Sequence, residues 1–338
     1  MFFKEIKENR LLYGLIAAYI IAGWALAAGY GVAGRFSLLI YSRPVLSTTF
    51  MLGSLFLGYI VFRIMFVLRP KRLSRTILSE MKEKWITRER LGQGLPMVAA
   101  FMFFIAAFSS LKSMIPVISP YGAWDQLFYV WDKTLHFGMD PWRILQPVFG
   151  YPLVTFLINL LYNLWFPVMF GVLYWQAFTL KHPAIRKRFF LSFYLCWIVN
   201  GSVLAVLLSS VGPCFYGVLY EGMIDPYVPL FGYLKNAGQD FPIWALQTQQ
   251  LLWDTYKANG LSFGSGISAM PSLHVSIAFL QVLLGYRVSK VWGRAFLLFF
   301  FVILTGSVHL GWHYAIDGYL SILTTALIWW ASAKVLRW

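Results

Sequence analysis

Long apolar runs alternate along this chain with short basic segments. A hydrocarbon layer of roughly 30 Å takes about 20 helical residues to cross. Eight runs fall near that length: residues 11–32, 46–68, 94–111, 151–180, 189–211, 270–287, 295–312 and 313–333. The last two are nearly continuous, so separate crossings require a break between Gly311 and His313. Three intervening segments have patterns of their own. In residues 69–92, Leu73, Ile77, Met81 and Trp85 recur at near-helical spacing among Arg, Lys and Glu, which predicts an amphipathic surface helix or a solvated connector. Residues 112–150 set Trp124, Phe128, Trp131 and Trp142 among Asp125, Asp132, Lys133 and Asp140. That mixture predicts a helix at the membrane–water interface, where aromatics concentrate, or a lid over a lipid entry. Residues 212–269, punctuated by Pro213, Pro226, Pro229 and Pro242, are the longest connection, and a loop this long is more often functional than idle.

Composition fixes the class. A chain that is 59% hydrophobic, 19% aromatic and 12% charged, with a mean hydropathy of +0.66, cannot fold around a single aqueous core. It is expected to be an all-α polytopic membrane protein with about eight transmembrane helices. Residues 1–93 are expected to hold two N-terminal spans and the basic segment, and residues 94–338 a six-helix core. With the N-terminus inside, 21 of the 28 Lys and Arg fall on the inner side, so the positive-inside rule puts both termini in the cytoplasm. The net charge of +15 is then a topology signal with attraction to anionic headgroups, and it does not argue for nucleic acid. The first apolar run is too long for the core of a cleavable signal and is expected to stay as an anchor. Cys196 and Cys214 are about five helical turns apart, so they are expected to pack and not to bridge.

Chemistry concentrates near the C-terminus, in the runs Ser268-Ala269-Met270-Pro271-Ser272-Leu273-His274 and His309-Leu310-Gly311-Trp312-His313-Tyr314-Ala315-Ile316-Asp317. They hold three of the five histidines and the only acidic residue of the last eighty positions, and an ionisable residue in such surroundings is a functional candidate by default. Two helical arms of similar length, joined by the Arg287–Arg294 turn, return His309 and His313 to the depth of His274. A four-residue spacing lets Asp317 accept from one ring nitrogen of His313 and leave the other free as nucleophile or base. His274 is then placed to supply the acid, and the helix beginning near Pro271 offers unpaired N–H groups to an anion. Together these outline a phosphoryl-transfer site. Each residue also has a plainer explanation. His309 alone reads as a packed histidine, His313 with Asp317 as a structural hydrogen bond, and Pro271 with Ser272 as ordinary helix-start chemistry. A metal held by the three histidines and Asp317 is the other alternative, and the lack of a nearby second carboxylate argues against it.

The run Met270-Pro271-Ser272-x-His274, followed by Gly311-x-His313-Tyr314-x-x-Asp317, resembles the second and third signature motifs of the type 2 phosphatidic acid phosphatase superfamily, over about residues 200–330. The resemblance implies that His313 forms a phosphohistidine, that Asp317 orients it and that His274 protonates the leaving oxygen. Ser272 and its neighbours Ser268 and Leu273 would hold phosphate oxygens, with His309 a secondary contact. No metal or other cofactor is implied. Two usual cationic elements are missing: no Lys-x6-Arg-Pro run is present, and Ser307 stands where an arginine usually precedes the nucleophile. In place of the first motif, Ser209-Ser210-Val211-Gly212-Pro213-Cys214-Phe215-Tyr216 is similar to the aromatic, proline-containing motif of inositol phosphorylceramide synthases. That similarity makes Tyr216 a further candidate contact. The phosphate charge would be met by amides, hydroxyls and histidines, or by a loop cation such as Lys235 or Lys257. The expected activity is transfer or hydrolysis of a phosphoryl-linked lipid headgroup, with transfer favoured, at a site facing the periplasmic, extracellular or luminal side. A transporter with a histidine relay and a structural membrane subunit are the non-enzymatic alternatives.

Overall fold

The computed structural model describes residues 2–258 and 266–337; residues 259–265 of the long connection lie outside the described residues. Among these residues the chain is helical, without strands. Helices α1 (Phe2–Glu8), α2 (Arg10–Gly29) and α3 (Ser42–Phe62) lead into α4 (Leu73–Glu80) and the long α5 (Arg88–Ile118). Two short helices, α6 (Asp125–Leu135) and α7 (Pro141–Phe149), precede α8 (Pro152–Asn163) and α9 (Trp165–Phe178), which follow each other as one bent crossing. Next come α10 (Pro183–Ile198), which runs on through a wider turn at Val199–Leu204 into α11 (Ala205–Leu207), and α12 (Tyr216–Leu219). Helices α13 (Val228–Asp240) and α14 (Trp244–Lys257) occupy nearly half of the long connection, which therefore carries more regular structure than its prolines suggest. The closing trio is α15 (Leu273–Val288), α16 (Lys290–His309) and α17 (Ala315–Val335).

Each of the eight apolar runs corresponds to a helical segment, and six of these are long and apolar enough to cross a membrane. The protein is an all-α polytopic membrane protein. Helix α15 has only 16 residues, and α17 carries Ser321, Thr325 and Ser332 among its buried side chains. Two of them, Ser321 and Thr325, meet partners outside their own helix. Thr325 Oγ1 lies 2.7 Å from Ser276 Oγ, which accepts from Asn200 Nδ2 at 3.0 Å, the kind of interhelical bond that holds bundles together in lipid. Close approach also needs small residues. A Cβ on Gly285 would sit 2.9 Å from the Trp292 backbone, which lets α15 and α16 pack as a tight hairpin.

Helix starts follow their sequence signals. Thr87 Oγ1 accepts from Arg90 N at 3.2 Å, Ser272 Oγ from Val275 N at 3.4 Å and Ser289 Oγ from Trp292 N at 3.2 Å, each pairing an amide that has no intrahelical acceptor. Residues of the N-terminal pair, including Leu12, Ile16, Tyr41 and Val45, share one buried core with the later helices. The amphipathic pattern at 69–92 forms α4 and a wider turn at Met81–Trp85.

Helix α5 runs to Ile118, past the apolar run that ends at 111. The Ser110 and Ser113 hydroxyls bond to helix carbonyls, Ala106 O at 2.9 Å and Ser110 O at 2.7 Å. Lys112, which the sequence places just beyond the span ending at 111, is a residue of that same helix.

Two arginines that count toward the basic inner segments are buried. Arg186 Nη2 pairs with Glu5 Oε1 at 2.9 Å while its Nε donates to Gln176 O at 3.0 Å. Arg188 donates twice to Trp329 O, at 3.0 and 2.9 Å, with its guanidinium 4.0 Å from the Trp329 ring. These bonds tie the N-terminal helix and the end of α17 to α10. Removing one partner of a buried pair typically costs about 3–5 kcal/mol because the other charge is left uncompensated. Arg186→Ala is therefore expected to lower the thermal midpoint of the purified protein clearly, while Lys181→Ala, at an exposed residue of the same segment, leaves it nearly unchanged; differential scanning fluorimetry in detergent checks both.

Candidate active site

The chain break between α16 and α17 sets the first histidine. After His309 the backbone folds back, so that the amides of Trp312 and His313 both donate to the Ser307 carbonyl at 3.0 Å. Gly311 takes φ +73 with the Phe231 ring against it, where a Cβ would lie 2.6 Å from Phe231 Cζ. Only glycine meets both requirements. The turn directs His313 toward the first turn of α17, where its Nδ1 lies 3.1 Å from Asp317 Oδ2. The same oxygen accepts from Tyr314 N at 3.2 Å. With the fully buried Asp317 carboxylate accepting a hydrogen bond from Nδ1–H, Nε2 is the ring atom left with a lone pair for chemistry.

His274 arrives from the start of α15. Ser272 N donates to the Asp317 carbonyl at 3.3 Å, and Ser321 Oγ lies 2.8 and 2.7 Å from the carbonyls of Ser272 and Asp317, so the starts of α15 and α17 are joined directly. Trp165 Nε1 donates to His274 O at 3.0 Å. The His274 ring stacks on Tyr162 at 5.2 Å between centroids and lies 4.2 Å from the Trp165 ring. The two imidazoles end 6.4 Å apart, centroid to centroid. Both line a cavity of about 320 Å³ whose wall also includes Phe108, Lys112, Trp165, Trp197, Ser268, Leu273 and Trp312.

Helix α6 holds this arrangement from the side. Asp125 and Asp132, seven residues apart on one face, are both buried. Asp125 accepts from Val211 N at 3.1 Å, Gly212 N at 2.9 Å and the Tyr314 hydroxyl at 2.9 Å. Asp132 accepts from the first amides of α17, Ala315 N at 3.1 Å and Ile316 N at 3.0 Å, a capping interaction supplied by another helix. The 209–212 loop is also bound to the run before His274, since Ala269 N donates to Ser210 O at 3.0 Å and Met270 N to Ser210 Oγ at 3.2 Å. All three motif segments thus meet at one place.

Of the residues expected from sequence, His274, His313, Ser268 and Leu273 line the cavity, and Asp317 lies behind His313. The other three point elsewhere. Ser272 is fully buried and spends its hydroxyl on the α15 cap. His309 is buried against Phe149 and Tyr233, with Nε2 2.9 Å from Thr155 Oγ1; the chain break rotates it away from His313. Tyr216 packs among Tyr129, Tyr220 and Tyr227. Neither of the loop lysines lines the cavity: Lys235 is exposed, and Lys257 lies 5.6 Å from the Trp253 ring. Both cysteines are free. Among the described residues no three His, Cys, Asp or Glu side chains gather as a metal-ligand set. The sequence reading missed Lys112 as a lining residue and Asp125 and Asp132 as the groups that hold the motifs. The signal for the two carboxylates was their seven-residue spacing, which puts them on one face of a helix that also carries Leu127, Phe128, Val130 and Trp131.

The family model of the PAP2 superfamily matches residues 126–331. No curated protein and no solved structure matches the chain.

Burial raises the Asp132 carboxyl from its ordinary value of 3.8 to about 6, against the opposing pull of the Ala315 and Ile316 amides. A folded-state value above the unfolded one means that the folded protein binds this proton more tightly. Its contribution therefore favours the folded state increasingly as pH falls from about 6 toward about 4, and is lost as pH rises through about 6. Measured in detergent, the thermal midpoint of the wild type is expected to rise relative to that of Asp132→Asn on going from neutral pH to about pH 5. A difference between the two proteins that stays constant over this range would contradict the assignment.

Proposed function

The chain belongs to the PAP2 superfamily, and we propose that it is a membrane enzyme acting on a phosphoryl-linked lipid headgroup through a phosphohistidine. Membership supports lipid phosphatase or phosphotransferase chemistry in general; the steps below are our reading of the site. The observation that carries it is the pair of imidazoles on one cavity wall, one of them backed by a buried carboxylate.

His313 Nε2 attacks phosphorus, forming an N–P bond as the P–O bond to the leaving group breaks, and protonated His274 passes its proton to the departing oxygen. Asp317 keeps the proton on Nδ1 and stabilises the imidazole as it becomes cationic. In the second half, a hydroxyl attacks phosphorus, His274 accepts its proton and the N–P bond breaks. An alcohol acceptor gives transfer, and water gives hydrolysis. Transfer is the reading we adopt, supported by the 209–216 run, similar to that of inositol phosphorylceramide synthases, whose loop is hydrogen-bonded to the segment before His274. The aromatic wall of the cavity suits a lipid-derived substrate and limits water, which favours an alcohol acceptor. The site faces away from the cytoplasm, a reading supported by the basic turn between α15 and α16 at the opposite end of those helices from His274.

Two experiments test this reading. Asp317→Asn is expected to lower turnover about 10²–10⁴-fold with the fold retained, because an amide fills the space but selects the wrong tautomer and cannot stabilise imidazolium; His309→Ala should cost far less. Phosphate release from phosphatidic acid or another labelled phospholipid, followed with and without candidate alcohols, is expected to yield acceptor-dependent transfer product. Phosphate release that no alcohol diverts would assign a phosphatase instead.

A further inference from the structure

A phosphate entering this cavity brings negative charge to motifs that offer little to neutralise it. Ser307 occupies the position where the related enzymes carry an arginine, and its hydroxyl is turned back onto the Leu304 carbonyl at 2.8 Å. Among the residues that line the cavity, the one Lys or Arg side chain is Lys112. It stands on α5, outside the span that the family model matches. Phe108 and Ser109 reach the cavity from the same part of that helix.

The placement of this lysine is built. Gly266 takes φ +98 and packs on Lys112 so closely that a Cβ there would lie 2.7 Å from the lysine carbonyl carbon and 2.8 Å from its Cγ. The stem is thus backed by main chain. Among the described residues no carboxylate pairs with Lys112, and it lines the same cavity as His274 and His313. Lys112 is half-buried on the cavity wall, and an ammonium partly withdrawn from water gains from a nearby counter-charge, so an anion in the cavity is the natural complement. Two further residues of the cavity wall carry unmet donors. Ser268 and Trp312 line the cavity, and Ser268 Oγ and Trp312 Nε1 are buried beside it without a hydrogen-bond partner, a costly state that a ligand's oxygen would relieve.

We propose that Lys112, Ser268 and Trp312 form the phosphate-binding subsite, with Lys112 supplying the charge that an arginine supplies in related enzymes. The ligand class is a tetrahedral phosphate ester of a lipid, its non-bridging oxygens accepting from the ammonium, the hydroxyl and the indole N–H. The inference rests on the enzyme reading above, and makes α5 part of the catalytic unit although it lies outside the matched family region.

Orthovanadate binding to the full-length protein in detergent, read by isothermal titration calorimetry beside kcat/KM on a phospholipid, tests it. A hydrogen bond to a charged group is worth about 1.5–3 kcal/mol, so Lys112→Met is expected to weaken orthovanadate about ten-fold or more and to lower kcat/KM at least as far. Lys112→Arg should recover most of both, and Lys235→Met, an exposed lysine away from the cavity, should change neither. Trp312→Phe, which keeps the ring and removes the N–H, should weaken orthovanadate by a few-fold, and decides the matter if Lys112→Met does not fold. Wild-type affinity and turnover in Lys112→Met, unchanged orthovanadate affinity in Trp312→Phe when the lysine variant cannot be made, or no orthovanadate binding by the wild type would overturn the subsite. Should His313→Ala keep full turnover, the enzyme reading fails whatever Lys112 does; if His313→Ala is inactive and Lys112→Met unimpaired, only the subsite assignment fails.

Discussion

A carboxylate buried among apolar helices must accept hydrogen bonds, and α6 meets that requirement by taking them from the main chain of the motif segments themselves. Asp125 binds the amides of Val211 and Gly212 and the hydroxyl of Tyr314, and Asp132 binds the first two amides of α17. Either side chain, left without these partners, would be costly in such surroundings. The same bonds fix where the 209–212 loop and the start of α17 lie, and with them His313. The position of the histidine pair is therefore a consequence of charge satisfaction on a helix that contributes no residue to the chemistry.

The starts of α15 and α17 extend the constraint. Ser321 stands against the carbonyls of Ser272 and Asp317, and Ser272 N donates to Asp317 O, so His274 cannot shift relative to His313 without breaking a buried bond. Where the helices turn back, Arg186 and Arg188 perform the corresponding service with Glu5 and the Trp329 carbonyl. Buried charge in this protein serves to fix geometry, and Lys112 is the cavity-lining cation without a carboxylate partner among the described residues.

The legible part of the fold was what long-range periodicity and length can carry. Eight apolar runs mark helical segments, and the break needed between the last two coincides with Gly311 and its positive φ. His274, His313 and Asp317 stood out because ionisable residues are rare in such sequence, and the structure brings them together. Spacing could not say which face of α6 turns inward. Trp131, Leu135 and Val130 are exposed, and the two carboxylates are buried, the reverse of an amphipathic helix in an aqueous protein. Lys112 was hidden because a charge at the end of an apolar run reads as the end of the span, whereas α5 continues to Ile118 and Lys112 lines the cavity. His309 shares a four-residue spacing with His313, but the turn that allows two crossings removes it from that face.

The account stands on His313 as the nucleophile. Rapid acid-free quenching of the wild type with phospholipid labelled at phosphorus, followed by gel separation under alkaline conditions, measures this directly. A labelled protein band that is stable to base and labile to acid is expected in the wild type, with its label on His313 by peptide mapping and no band in His313→Ala. A band of equal intensity in His313→Ala would contradict the account at its centre.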